Sequence, residues 1–316
     1  MQKKINLDLN DYKKYTGRYI IYELDRRGKE YDRNGHLIFE GKYLNGEKNG
    51  EGKVFDEKLN LIFKGEYLKD KKNGKGREYD EDGYMIFKGE YLNGKKNGKG
   101  EEFEDGKLIF KGEFLNGKRW KGSGKETIFY ERDEFTKTRK IYEGEYEEGE
   151  KNGKGEEYYE CYDRDSPMDN YELWKNKLIF EGEYKNGKRD GKGKEYNDDD
   201  IDDILIFEGE FKDGERWNGK GKEFDHIGYL LFEGEYKNGE KWKGKEYDGN
   251  KLIFEGEYKD GEIWNGKGKE FKSNELIFEG EYKYGKRWNG KGKEFDFLDH
   301  LLFEGEYKNG EKKSII

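Results

Sequence analysis

One short element, repeated along the chain, limits what it can fold into more than any other feature. Residues 177–196, KLIFEGEYKNGKRDGKGKEY, are a typical copy. The glycine of its F-E-G-E-Y core recurs at Gly41, Gly65, Gly89, Gly112, Gly144, Gly182, Gly209, Gly234, Gly256, Gly280 and Gly305. A degenerate copy, TGRYIIYELDRRGKEY, adds Gly17. Most steps fall between 22 and 27 residues, and such a period marks a stacked repeat architecture. Two longer steps place insertions at about 126–140 and 157–176, and the second holds the lone proline, Pro167, and the lone cysteine, Cys161. Both are expected to be enlarged turns, since the repeat resumes in frame after each.

Within the copy, Leu178, Phe180, Gly182 and Tyr184 alternate with Ile179, Glu181, Glu183 and Lys185, the pattern of a half-buried strand. A second short strand runs from Gly191 to Tyr196. Between them Asn186-Gly187 supplies the positive φ angles that a tight hairpin needs. Turns such as Asp82-Gly83 lead into the next copy. Helix is disfavoured, because each of four glycines per copy costs about 1 kcal/mol relative to alanine. The expected fold is all-β: an elongated single-layer antiparallel ribbon of about twelve stacked hairpins. The glycine between Phe180 and Tyr184 leaves a slot in which a ring from an adjacent strand lies flat. Residues 1–16 lack the pattern and read as an N-terminal cap or arm, with 17–316 as one continuous array. The copy after Gly305 is expected to have a first strand and no second.

Composition then bounds the function. With 31% hydrophobic and 43% charged residues the chain would read as disordered. Its 26 Tyr and 20 Phe recur at fixed positions, however, so a folded chain with a thin core is expected. A net charge of −9, from 64 basic and 73 acidic residues, disfavours nucleic acid as a partner. One cysteine excludes an intrachain disulfide and fits a reducing compartment. The start, MQKKINLDLNDYKKY, has no apolar signal core, and no stretch approaches 18 apolar residues. The expected location is cytoplasmic, including the periphery of a membrane or cytoskeletal structure.

The pattern F-E-G-E-Y-x-N-G-x-x-x-G-x-G resembles the MORN repeat (membrane occupation and recognition nexus). Gly89 is followed by Gly94, Gly98 and Gly100, and Gly65 by Gly74, Gly76 and Gly83, as in that family. The second strand, G-K-E-Y, is similar to the variant MORN repeats of bacterial antitoxin-like proteins. The resemblance covers about residues 17–310. It implies hairpin arrays that act as scaffolds for protein binding, oligomerisation or phospholipid contact, with no catalytic residues in the repeats.

Motifs that could carry chemistry weaken on inspection. G-x-x-x-x-G-K occurs at Gly182 to Lys188, but Arg189 follows where a phosphate-binding loop needs Ser or Thr. His36, His226 and His300 each precede a strand and are too scattered for a metal site. The run NDDDIDD at 197–203 lacks calcium-loop spacing. No catalytic residue, metal, cofactor or small-molecule substrate is therefore expected.

Two surfaces are candidates for partner binding. The ring positions Phe63, Tyr67, Phe87, Tyr91, Phe180, Tyr184, Phe254 and Tyr258 are expected to form an exposed apolar row, which usually marks an interaction site. Trp120, Trp217, Trp242, Trp264 and Trp288 each fall eight residues after their leading glycine. They read either as a binding strip or as rings folded over their own hairpins. Turns within a copy are basic, with Lys71, Lys72, Lys75, Lys95, Lys96 and Lys99, while turns between copies are acidic. The two sets are expected on opposite edges, and the basic edge would suit anionic lipid. The chain thus reads as a non-enzymatic scaffold for protein–protein interaction, self-association included. The alternatives are a tether to anionic phospholipid and an antitoxin or immunity protein binding one toxin.

Overall fold

The computed structural model describes residues 17–131, 136–163, 174–197 and 204–314. The N-terminal segment 1–16, the centres of both insertions and the acidic run at 198–203 lie outside the described residues. The described secondary structure is 24 strands with no helix, and the described pairings are antiparallel. The all-β hairpin architecture read from the sequence is the one observed. It divides into two compact units, Met1–Thr127 with Tyr142–Gly153, and Ile128–Ile141 with Lys154–Ile316.

Hairpins of the first unit include Leu37–Leu44 with Glu47–Phe55, Leu61–Leu68 with Lys71–Tyr79, and Met85–Leu92 with Lys95–Glu104. The second unit has Trp174–Lys185 with Lys188–Tyr196, Leu205–Lys212 with Glu215–Phe224, and four more. Around the insertions the strands themselves are long: Lys118–Glu131, Thr136–Glu147, Glu150–Asp163 and Trp174–Lys185. The last copy differs from expectation, since a short second strand, Glu311–Ser314, pairs with Leu301–Lys308. Its charged side chains sit on the solvent-facing positions of a two-strand pairing, which needs no apolar signal.

The two turn types have separate causes. Within a hairpin, Asn186 and Gly187 take φ of 51° and 79°, as a two-residue loop requires. Between hairpins an aspartate organises a longer loop: Asp80 Oδ1 accepts the N–H groups of Asp82 and Tyr84 at 3.1 and 2.8 Å. Asp56, Asp225 and Asp296 do the same in their loops.

The repeated glycines form a spine across the strands. Gly65 faces Gly76, Gly76 faces Gly89 and Gly89 faces Gly100. A Cβ on Gly65 would stand 2.6 Å from both Phe63 Cζ and Gly76 Cα. One on Gly76 would stand 2.7 Å from Phe63 Cζ. The slot therefore exists, and it is filled from within the hairpin: Phe63 covers the glycines of both its strands. Gly17 stands outside the spine, which begins at Gly28 opposite Gly41. The first hairpin, Arg18–Tyr22 with Arg27–Asp32, is shorter than the period, so counting back from Gly41 overshoots.

The rings over the spine pack edge to face in a zigzag. In the first unit Phe63 meets Tyr67 at 5.6 Å and Tyr91 at 5.4 Å, and Phe87 meets Tyr91 and Phe114 at 5.5 and 5.1 Å. In the second, Phe180 meets Tyr184 at 5.4 Å, and Phe254 meets Tyr258 and Tyr282 at 5.3 and 5.9 Å. Each perpendicular contact adds about 0.5–1.5 kcal/mol beyond area burial. This zigzag is the core.

Candidate functional site

The rings do not form an exposed apolar row. Phe63, Tyr67, Phe87, Tyr91, Phe180, Tyr184, Phe254 and Tyr258 are only 0–7% exposed. Two causes combine. The missing glycine side chains let the rings sink onto the backbone, and Lys or Arg then covers most of them, with Ile263 in that strand position beside Tyr258. Lys72 Nζ lies 4.1 Å from the Phe63 ring centre and 2.7 Å from Glu78. Lys96 repeats this over Phe87 with Glu102 at 3.1 Å. Arg189 lies 4.3 Å from the Phe180 centre and bridges Glu157 and Glu195 at 2.7 and 2.8 Å.

This layer sets the protonation chemistry. Burial disfavours charge on Glu78, but its hydrogen bond to Lys72 and the charges of Lys72 and Lys96 together outweigh that and hold the carboxyl below the usual range. Burial, then neighbouring carboxylates, pushes Tyr91 and Tyr258 well above the ordinary phenol range. Tyr146 is pushed up to about 12 by burial and then by Glu126. Charged groups here are paired, which marks the layer as the roof of the core.

The six candidate lysines do not share an edge. Lys72 and Lys96 turn onto the rings, Lys75 and Lys99 line the opposite face, and Lys71 and Lys95 stay exposed beside the tight turns. The reason is an irregularity in each second strand. Gly65 pairs with Gly76 but Tyr67 pairs with Lys72, so Asn73, Gly74 and Lys75 oppose the single Glu66. Two extra residues redirect side chains that strict alternation would align. Glu90 closes one such bulge by accepting the Lys99 N–H at 3.1 Å.

The tryptophans are bulge residues. Glu210 pairs with Asn218 and Phe211 with Arg216, leaving Trp217 unpaired between them. Trp120, Trp242, Trp264 and Trp288 occupy the same place. Their rings meet lysines and the neighbouring turn. Lys212 lies 4.3 Å from the Trp217 ring, and Lys259 lies 4.6 Å from that of Trp264. The next hairpin's turn glycine sits against the ring at Trp217, Trp264 and Trp288. Its N–H donates to the tryptophan carbonyl at 2.9, 3.0 and 2.9 Å. Trp242 and Trp120 are the most open of the five, at 43% and 36%. Where the second unit has lysine over tryptophan, the first has exposed leucines at the same strand position: Leu44, Leu68 and Leu92. Sequence reasoning passed over these leucines, although a recurring Tyr-Leu before the tight turn marks them.

On the face opposite the rings, the first unit forms a groove of about 1190 Å³. Spine glycines floor it, and its walls carry eleven Lys or Arg side chains against seven Glu. Among the described residues no group of three or more His, Cys, Asp or Glu could hold a metal ion. His36 and His300 each bond the aspartate of their own turn, at 3.1 and 2.9 Å.

Comparison with known proteins agrees with the repeat geometry. The MORN repeat family profile matches residues 39–54, 63–83, 87–107, 142–160, 180–200 and 207–224. No curated protein matches. Among solved structures, one titled "Crystal Structure of TcdB2-TccC3-TEV" aligns with 89% of the chain at 9% identity, with a TM-score of 0.17. The chain spans 15% of that protein's length, and a likeness this slight carries no argument. No helix among the described residues is long and apolar enough to cross a membrane.

Proposed function

We propose that this MORN-repeat protein, six of whose segments match the family profile, is a non-enzymatic scaffold holding protein partners along its turn margins. MORN repeats are scaffold repeats that commonly contact proteins or membranes. The observation that carries the choice of surface is the sorting of side chains. The core rings are buried beneath paired cations, while the margins repeat exposed Leu44, Leu68 and Leu92 in one unit and lysine-capped tryptophans in the other. Neighbouring hairpins lie about 9.6 Å apart, twice the strand spacing, so each margin is a ruler of like side chains. Aromatic and aliphatic anchors at fixed spacing suit a partner's own repeated apolar residues.

The test is cross-linking mass spectrometry on the tagged full chain in its native cell, with the oligomeric state measured on the purified protein. Combined Leu68→Ser, Leu92→Ser, Trp120→Asn and Trp242→Asn substitutions should lose the cross-linked partner at least tenfold while circular dichroism stays unchanged. A folded variant that keeps its partner would refute the margin as the contact surface.

A further inference from the structure

Charge register in the two units differs in a way that strand pairing alone does not require. In the second unit, each charged pair beside the glycine spine joins Glu to Lys: Glu181 to Lys194, Lys194 to Glu208, Lys222 to Glu233, Lys245 to Glu255 and Lys269 to Glu279. Opposite charges placed directly across strands stabilise a sheet, and like charges destabilise it. In the groove of the first unit that rule is broken four strands in a row. Lys53 faces Lys64, Lys64 faces Arg77, and Arg77 faces Lys88.

The ends of this column are matched within the protein. Glu40 lies 2.7 Å from Lys53, and Glu101 lies 3.5 Å from Lys88. Lys64 and Arg77, at its centre, are exposed and have no ion pair among the described residues. Glu66, two residues along the strand from Lys64, is turned toward the bulge at Gly74. The column is also placed for access, since Gly65 and Gly76 project toward the rings and only their backbone floors the groove beside it.

Resting on the scaffold reading, we propose that the Lys53–Lys64–Arg77–Lys88 column is the docking site for an acidic peptide segment of a partner protein, laid along the groove. Complementarity selects the occupant: the groove is net basic within a chain of net charge −9. Four cations about 4.8 Å apart define a line on the order of 14 Å long, which an acidic stretch of four or five extended residues matches. The Arg77 guanidinium can hold one carboxylate by two parallel hydrogen bonds, and Lys64 adds a point charge beside it. The groove is larger than a typical small-molecule pocket, as a chain segment needs.

The test uses the full chain and a fluorescent octaglutamate peptide, followed by anisotropy at 50 and 200 mM salt. Native protein should bind, and binding should weaken at the higher salt. Lys64→Glu turns two like-charge pairs into opposite-charge pairs, copying the second unit, so it should fold at least as stably while binding falls tenfold or more. Lys286→Glu, which converts the Lys283–Lys286 pair of the second unit in the same sense, should bind like the native chain. Absence of native binding, or equal losses in the two variants, would overturn the proposal. So would column-dependent binding of anionic phospholipid vesicles that octaglutamate cannot displace. If Lys64→Glu keeps a cellular partner that the leucine and tryptophan margin variant loses, the scaffold reading stands and the acidic-peptide site does not.

Discussion

Spine glycines and turn glycines are the same residue under different constraints. A Cβ on Gly89 would stand 2.6 Å from Phe87 Cζ and 2.7 Å from Gly100 Cα and the Lys99 carbonyl. Backbone and a buried ring both hold their places, so Gly89→Ala should cost about 3 kcal/mol, the upper part of the overpacking range. Gly94, with φ of 89° and nothing within 4 Å, meets only the backbone penalty, and Gly94→Ala should cost about 1 kcal/mol. Urea unfolding of the two variants separates the cases, and equal losses would contradict the spine. The glycine slot was legible in the sequence because spacing alone places Gly89 between Phe87 and Tyr91. The destination of Lys72 was not. In the run KKNGK, three lysines with identical local chemistry go to three places, and only the pairing of Tyr67 with Lys72 decides which.

At the scale of the hairpin, the cation layer and the tyrosines beneath it give stability two pH limits. Glu78, Glu157, Glu223 and Glu270 are all held below the ordinary carboxylate range. For each, burial works against the charge and contact with its Lys or Arg partner outweighs it. Their contribution is complete above the unfolded value of about 4.3 and fades as pH falls from there through the lower folded values. The tyrosines move the other way. Tyr67, Tyr91, Tyr236 and Tyr282 are raised mainly by burial, so their contribution holds below about pH 10 and is lost above it as the unfolded chain ionises. Denaturant titrations should therefore give a plateau from about pH 5 to 9, with losses at pH 3.5 and 10.5. Unchanged stability at pH 10.5 would show that these phenols are not buried as described. The hairpins themselves were readable from period-two alternation and Asn-Gly turns. Their bulges were not, because one inserted tryptophan and a two-residue excess both look like turn-length variation.

Within each unit, the described hairpins pair with their neighbours in sequence, so stability should be nearly a sum of local terms. Deleting residues 63–86 removes one 24-residue period and brings Gly89 opposite Gly52. The shortened protein should keep its β-type circular dichroism per residue and unfold at a modestly lower temperature. Collapse of the fold would show that distant hairpins matter. At this scale the sequence was a good guide to architecture and a poor one to ends and insertions. Gly17 fits the period but lies outside the spine, and Glu311–Ser314 forms a strand without any apolar residue to announce it. The like-charge column also escaped composition, since a balanced total hides which charges face each other.

In the second unit the side-chain hydrogen bonds between turns have a direction. Asn218 Oδ1 accepts the N–H of Asn238, Asn265 Oδ1 that of Tyr284, and Asn289 Oδ1 that of Asn309. In each case the earlier hairpin supplies the acceptor and the later one the donor. A hairpin emerging from the ribosome thus finds its seat already built by the one before it. Assembly can proceed like masonry laid course upon course, in step with synthesis.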